Sequence, residues 1–157
     1  MGFFSEFFAE EPKDRLERWR KELFEALPQA LSPDDTFCLS EDQQEIIIKH
    51  GSTHVVVGFT VDEEGDGYVV IDSPLVFLPK ENLLPFYRRL LDLNNNPLML
   101  GSLSTEGNVV TLRRTMPIQG LDEEGFLLAV FSVCAQADEL DDLLIEEFEA
   151  SRFEFED

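Results

Sequence analysis

Two histidines four positions apart are the residues of this sequence with the clearest capacity for metal binding or proton transfer. His50 and His54 flank a predicted turn, and an imidazole both ligates metal ions and exchanges protons near neutral pH. A zinc site needs further protein ligands, and none stands at a suitable spacing. We therefore expect two surface histidines in a hairpin and no bound metal.

An acidic stretch further along the chain resembles the opening of a calcium-binding loop. Asp62, Glu64, Asp66 and Gly67 follow the start of the EF-hand pattern, but Ser73 stands where that pattern requires a bidentate glutamate. No helices are predicted on either side of this stretch. A solvated hairpin loop is the favoured interpretation.

Nucleophilic catalysis has no recognisable motif in this chain. Ser102, Ser104 and Thr105 lack the G-x-S-x-G context of a nucleophile elbow, and the sequence contains no glycine-rich phosphate loop. Carboxylates are so abundant that a pair chosen for acid–base catalysis would be a chance selection. We predict that the protein is not an enzyme and uses no cofactor.

Charge restricts the partners that this protein can bind. The 157 residues include 33 acidic and 12 basic side chains, a net charge of −21, which repels nucleic acids and anionic membranes. Ten of the acidic residues lie in the last twenty positions. Five basic residues lie together near the other end: Lys13, Arg15, Arg18, Arg20 and Lys21. The two ends can therefore attract each other within one molecule or between molecules.

A long helix near the end of the chain organises the predicted fold. Asp122 is a good N-cap, and apolar residues then recur every three or four positions, which is typical of one buried helix face. These residues are Phe126, Leu127, Val130, Phe131, Cys134, Ala137, Leu140, Leu144 and Phe148. Acidic residues accumulate at the far end, where the helix dipole disfavours them. We expect that end to fray or to meet a basic group.

The preceding residues predict two more helices and a set of strands. The helices are expected at 12–28 and 79–96, and the strands at 45–49, 55–61, 68–77, 98–104 and 108–117, with 37–39 as a short lead-in. Short connections make neighbouring strands antiparallel. The order α-β-β-β-α-β-β-α predicts one α+β domain in which helices pack on an antiparallel sheet.

The predicted organisation is a phenylalanine-rich segment at 1–11, a single domain at 12–150 and an acidic-aromatic tail at 151–157. The sequence has neither a signal peptide nor an apolar run of about eighteen residues, so we expect a cytoplasmic protein. Cys38 and Cys134 are expected to be small buried hydrophobic residues rather than a disulfide.

Three stretches carry a resemblance to a known family: LLPFYRRLLDLNNN, GNVVTLRRTMPIQGLDEEGF and ADELDDLL. They resemble the YbjN-type domain, which in turn is similar to the small, acidic, dimeric chaperones of bacterial type III secretion. The resemblance extends from about Pro12 to Phe148, and its motifs are packing and turn patterns rather than catalytic signatures.

The resemblance implies a homodimeric protein that binds other proteins. Chaperones of this fold hold extended client segments across hydrophobic patches, and YbjN-type proteins are described as regulatory factors. The second helix commonly lies at the two-fold axis of such dimers. By this resemblance, Tyr87, Leu90 and Leu91 are the predicted dimer contact.

Two arginine doublets stand out in the acidic second half of the chain. They are Arg88-Arg89 and Arg113-Arg114. Alternation along a strand sends one of Arg113 and Arg114 outwards, so at least one of them should be available for a carboxylate. Pairing with the acidic end of the last helix is the favoured interpretation, and a dimer or partner contact is the alternative.

Three functions remain open on the sequence. The first is a non-enzymatic, homodimeric protein-binding adaptor or chaperone-like regulator. The second is an acidic decoy that mimics a nucleic acid and binds a basic protein. The third is that the phenylalanine-rich start and the aromatic tail residues Phe148, Phe153 and Phe155 are themselves recognition peptides.

Overall fold

A computed structural model describes residues 12–155 as three helices and six strands. In chain order these are α1 (Pro12–Ala30), β1 (Thr36–Leu39), β2 (Ile46–His50), β3 (Thr53–Val61), β4 (Gly67–Phe77), α2 (Leu83–Asn94), β5 (Ser102–Glu106), β6 (Val109–Pro117) and α3 (Glu123–Phe148). The predicted α+β class and element order are confirmed, and the predicted lead-in forms a strand of its own, β1. The phenylalanine-rich segment 1–11 lies outside the described residues.

The strands form one antiparallel sheet in the order β1-β2-β3-β4-β6-β5. Gly51 and Gly107 turn the β2–β3 and β5–β6 hairpins with φ angles of 54° and 59°, a backbone region that favours glycine. Helix α2 carries the chain from β4 over to the edge strand β5, and β6 then returns between them. The sheet thus has β1 at one edge and β5 at the other.

The core lies between one face of the sheet and the helices. Alternation along β2, β3 and β4 points Ile48, Val55, Val57 and Ile71 to the same side, where each is completely buried. Helix α3 covers the middle of this face with the stripe that its sequence predicts, and α1 adds Leu23 and Leu27. We call this helix-covered side the inner face.

Both ends of α3 are capped. Asp122 accepts a hydrogen bond from the Gly125 N–H at 2.8 Å, as a helix N-cap does. At the other end Glu149 adopts the left-handed conformation, with φ 54°, and its N–H donates to the Ile145 carbonyl. This turn directs the following residues back across the sheet.

The residues after α3 pack on the domain. Strand β3 pairs with β4 only from Val56–Asp72 to Val61–Gly67, so the last part of β4 loses this neighbour. Residues 151–153 take its place: the Phe77 N–H donates to the Ser151 carbonyl at 2.8 Å, and the Phe153 N–H donates to the Leu75 carbonyl at 2.9 Å. The described part of the predicted tail therefore pairs with β4 through an isolated antiparallel β-bridge between Arg152 and Val76.

Candidate protein-interaction surfaces

Helix α2 presents two apolar faces, one to the core and one to the outside. Phe86 is buried, and its ring meets that of Phe148 edge-on with centroids 5.0 Å apart. On the opposite side Leu84 is 80% exposed and Leu91 is 69% exposed, with Tyr87 between them. The spacing of these three residues places them along one side of the helix.

The loop after α2 carries further exposed leucines on a fixed backbone. Leu98 is 75% exposed, and Leu100 is also exposed. The Gln136 side chain holds their backbone from α3: its amide nitrogen donates to the Leu98 carbonyl at 2.8 Å, and its amide oxygen accepts from the Leu100 N–H at 3.0 Å. Asn94 bonds both backbone groups of Leu103 in the same way. The loop is therefore preorganised.

We call the exposed side chains of α2 and this loop the α2 face: Leu84, Tyr87, Leu91, Leu98 and Leu100. Complete burial of a leucine side chain is favourable by about 1.5–3 kcal/mol, so several such residues provide substantial energy for association. A soluble domain rarely exposes a large apolar patch unless the patch binds a partner. The α2 face is the strongest candidate interaction surface among the described residues.

The structure divides the predicted dimer contact. Tyr87 and Leu91 belong to the α2 face, whereas Leu90 is 5% exposed and packs into the core. Leu90 lies one helical turn after the buried Phe86, and this spacing fixes its inward direction. Leu90 can therefore hold α2 on the core, but its side chain cannot contact a second protomer directly.

The α2 face includes two residues that the sequence analysis did not select, Leu84 and Leu98. Leu84 stands three positions before Tyr87 and therefore lies on its side of α2. Leu98 gave no helical signal, because it follows the asparagine-rich end of the helix and was assigned to a strand. The contact of its backbone carbonyl with the Gln136 side chain, 38 residues further along the chain, is visible only in the folded structure.

The arginine doublets have partners in different places. Arg89 on α2 makes a bidentate contact with Glu147 on α3, at 2.8 and 2.9 Å, so the predicted pairing with the acidic helix end is confirmed for this residue. Arg113 instead bonds Asp72 of β4 twice, at 2.7 Å each. The predicted partner of Arg113 was wrong because the β4–β6 register places Asp72 directly opposite it.

Arg114 points to the other side of β6 from Arg113. It stands opposite Ile71 in the β4–β6 register and is half-buried. Arg113 is exposed on the outer face, but its guanidinium already holds Asp72, and Glu106 lies 3.7 Å away. A partner would have to compete with these carboxylates for Arg113.

A groove between α1 and the edge strand β1 is a second candidate surface. It has a volume of about 370 Å³, and its apolar lining includes Phe24 from α1, Phe37 and Leu39 from β1, and Ile46 from β2. Within residues 12–155, β1 pairs with β2 alone, so the backbone groups on its other side face outwards. An extended peptide can add to such an edge while its side chains enter the groove.

The histidines and the acidic loop have structural contacts. His50 Nδ1 lies 2.8 Å from Asp35 Oδ1, and the His54 ring packs on Phe155 with centroids 4.8 Å apart. Asp62 lies in the β3–β4 hairpin loop, where its carboxylate accepts from the N–H groups of Glu64 and Asp66, and these bonds lower its pKa. The part of the chain that the structure describes brings together no group of three metal-ligating side chains.

The cysteines differ in exposure. Cys134 lies inside the α3 stripe, and burial raises the pKa of its thiol to about 12. The expectation that Cys38 is also buried was wrong, since β1 is an edge strand and its side chains remain exposed. Both cysteines are free thiols.

A buried acidic cluster joins α3 to the β2–β3 turn and to the tail. Asp141 is fully buried. Its Oδ2 accepts a hydrogen bond from the Ser52 hydroxyl at 2.9 Å and pairs with the Arg152 guanidinium. The same guanidinium donates to Asp142 at 2.7 Å. Asp138 accepts from the Ser52 N–H at 2.9 Å. Basic partners expected near the end of α3 are therefore present: Arg152 comes from the tail, and Arg89 comes from α2.

The two central carboxylates of this cluster have pKa values shifted in opposite directions. Burial raises the pKa of Asp141, and the Ser52 hydroxyl and Arg152 oppose that change. The Ser52 N–H and hydroxyl lower the pKa of Asp138. Gly51 permits this arrangement, because a Cβ atom there would stand 2.3 Å from Asp138 Oδ1.

The antiparallel sheet with helices on one face and this element order define the α+β fold of the type III secretion chaperones. The chain is similar in structure to a chain in the crystal structure of the ExsC–ExsE complex. The TM-score is 0.55 at 16% sequence identity, over 82% of this chain and 95% of that chain. No family model and no curated protein matches the sequence.

Within residues 12–155, none of the helices combines the length and the apolar character needed to cross a membrane.

Proposed function

We propose that this protein is a non-enzymatic, homodimeric adaptor or chaperone-like regulator of the YbjN type that binds segments of client proteins in the cytoplasm. The observation that carries this proposal is the α2 face, an exposed apolar surface on a preorganised backbone. The secretion-chaperone fold supports it, since the similar structure is that of a complex between two proteins.

The homodimer contact is assigned to the α2 face. Tyr87 and Leu91 form its centre with Leu84 beside them, and Leu90 supports the helix from within. A stable interface buries about 800 Å² on each partner, which requires more than one helix side. The loop leucines Leu98 and Leu100 extend the surface.

The client is assigned to the groove between α1 and β1. Phe37 and Leu39 offer apolar contacts to alternate side chains of an extended segment, and the outward edge of β1 offers backbone hydrogen bonds. The two basic residues that line the groove, Arg20 and Lys21, are balanced by Glu17 and Glu25, so we assign the client by its apolar side chains and extended backbone rather than by its charge. Arg113 and Arg114 are assigned no direct contact, because Arg113 holds Asp72 and Arg114 is half-buried.

Light scattering on the full-length protein and on Leu91→Glu tests the dimer. A charged side chain at the centre of an apolar interface is left without a partner, so we expect the wild type to be a dimer and the variant a monomer. Val61→Glu is the matched control, since Val61 is an exposed apolar residue at the β3–β4 hairpin and its variant should remain dimeric. A monomeric wild type at micromolar concentration would contradict the proposal.

Affinity capture at low and high salt separates the adaptor from the acidic decoy. The decoy is favoured by the exposed carboxylates of α3, including Glu139, Asp142, Glu146 and Glu147. Charge-only recognition weakens as salt shortens the Debye length, whereas apolar binding persists. Partners retained at about 0.5 M salt support the adaptor, and exclusively basic partners that dissociate there support the decoy.

A further inference from the structure

Residues 151–153 lie beside the last part of β4 and pair with it through two backbone hydrogen bonds. Strand β6 pairs with one side of β4 along Tyr68–Phe77, and β3 leaves the other side after Asp72. The Leu75 carbonyl and the Phe77 N–H would therefore face outwards on that side if residues 151–153 were removed. We call this site the tail slot.

An arginine anchors the segment that occupies the tail slot. Arg152 pairs with the fully buried Asp141 and bonds Asp142 at 2.7 Å. The second oxygen of Asp141, Oδ1, has no hydrogen-bond partner among residues 12–155. A vacated slot would leave this buried carboxylate with the Ser52 hydroxyl alone, so the slot demands a cation.

Arginine meets this demand better than lysine. A guanidinium presents several N–H donors in a planar fork, and Arg152 uses two different nitrogens to reach Asp141 and Asp142. A lysine ammonium is a compact point charge with stronger hydration, which is more costly to remove. The slot therefore discriminates between the two cations.

Aromatic rings fix the register of the segment. Phe153 packs on Phe77 with centroids 5.5 Å apart, and Phe155 packs on His54 at 4.8 Å. The two tail rings also meet each other edge-on at 5.3 Å. Alternation along an extended segment places residues 153 and 155 on one side and Arg152 on the other.

We propose that the tail slot is a strand-addition site for extended segments of sequence arginine-aromatic-any-aromatic from a second protein, and that the chain's own tail is its resident ligand. This site is separate from the α2 face and the β1 groove and does not depend on the function assigned to them. The resident segment makes two backbone hydrogen bonds, the arginine anchor and the ring contacts of Phe153 and Phe155, and a longer partner segment can replace this set.

Peptide binding to a full-length variant with a released tail tests this proposal. The double variant Arg152→Glu/Phe153→Asp repels Asp141 and removes a ring, while every slot residue stays unchanged. The probe is a labelled peptide with the sequence of residues 149–157, EASRFEFED, and the measurement is fluorescence anisotropy. In the wild type the tethered tail competes at high effective concentration, so we expect the variant to bind the peptide about tenfold more tightly or better.

Altered peptides test the assigned specificity. A peptide with Arg152→Lys should bind the released variant clearly more weakly, and one with Arg152→Ala should not bind measurably. Equal binding of all three peptides would overturn the arginine anchor. Absence of peptide binding to a folded released variant, with circular dichroism like that of the wild type, would overturn the slot itself.

The single variant Phe153→Ala provides the same test if the double variant does not fold. It keeps Arg152 as the partner of Asp141 and loosens only the aromatic contact. We expect it to bind the peptide more tightly than the wild type does, and equal binding would overturn the proposal. Light scattering distinguishes one further outcome. If the wild type and Leu91→Glu are dimers and the released variant is a monomer, the slot binds the tail of a second copy. This result would overturn the assignment to a second protein.

Discussion

The α2 face and the tail slot are two apolar surfaces beside the same helix, α3, and the chain treats them differently. The outer side of α2 remains exposed, with Leu84 and Leu91 facing solvent. The slot beside β4 is covered by residues 151–155, which return from the end of α3. Both surfaces present large apolar side chains, so apolar composition does not explain why only one of them is covered.

Backbone and charge explain the difference. Apart from its first and last turns, a helix satisfies its backbone hydrogen bonds internally, so the exposed side of α2 costs mainly the hydration of apolar side chains, about 25 cal/mol for each Å². The slot contains unpaired strand groups and the buried carboxylate of Asp141, and each of these costs considerably more when left without a partner. The chain therefore covers with its own residues the surface that would be more costly to leave open.

The inner side of α2 should give the largest effect on stability. Phe86 is fully buried and packs on Phe148, so Phe86→Ala should lower the free energy of unfolding by about 3–5 kcal/mol. Urea denaturation followed by circular dichroism measures this value. A loss below about 1 kcal/mol would show that α2 packs much more loosely than the buried ring indicates.

The two arginines that bind α3 allow a buried carboxylate to be compared with an exposed one. Arg152→Met leaves Asp141 as an uncompensated buried charge and should lower the free energy of unfolding by about 3 kcal/mol. Arg89→Met is the matched control. It removes a bidentate contact with the exposed Glu147 and should lower the free energy of unfolding by about 1 kcal/mol or less. Equal losses in thermal or urea unfolding would contradict the assigned burial of Asp141.

Asp138 should give a smaller effect that depends on pH. Because Ser52 lowers its folded-state pKa, the ionised carboxylate stabilises the fold above its usual value of 3.8, and this contribution disappears as pH falls through the lowered pKa. Asp138→Asn should therefore cost about 0.5–1 kcal/mol at pH 7 and progressively less in acid. Asp141 works in the opposite direction: burial raises its folded-state pKa, so keeping its carboxylate ionised lowers the free energy of unfolding above the usual pKa, and this cost disappears as the pH falls.

The outer side of α2 should give the smallest effect on the protomer. Leu84→Ala removes an exposed side chain and should change the free energy of unfolding by about 0.5 kcal/mol or less when measured on the monomeric Leu91→Glu background. The same substitution should weaken dimerisation of the otherwise wild-type protein. A large stability loss in the monomer would mean that Leu84 packs within its own chain.

The sequence predicted what local periodicity determines. The α3 stripe and the Asp122 cap follow from spacing along a single helix, and both are present. The inward direction of Leu90 was also available from its spacing to Phe86, although the predicted dimer contact did not use it. These features need no knowledge of distant residues.

Features that depend on register or on the sheet edge could not be predicted in this way. The partner of Arg113 is set by the alignment of β4 with β6, and the exposure of Cys38 by the position of β1 at the edge. The tail slot exists because β3 and β4 separate after Asp72, where the Ser73 hydroxyl donates to the His54 carbonyl at 2.8 Å. No sequence signal in the tail identifies that point.

The left-handed conformation of Glu149 has a consequence for the lifetime of the docked tail. A residue with a Cβ atom at φ 54° carries a conformational cost of about 1–2 kcal/mol, which the docked tail sustains and a released tail does not. Release of the tail therefore removes the conformational cost at Glu149, which offsets part of the energy lost with the tail contacts. A glycine at position 149 carries no such cost, so release of the tail would recover no conformational energy. The tail would then remain bound longer, and a competing segment would displace it less readily.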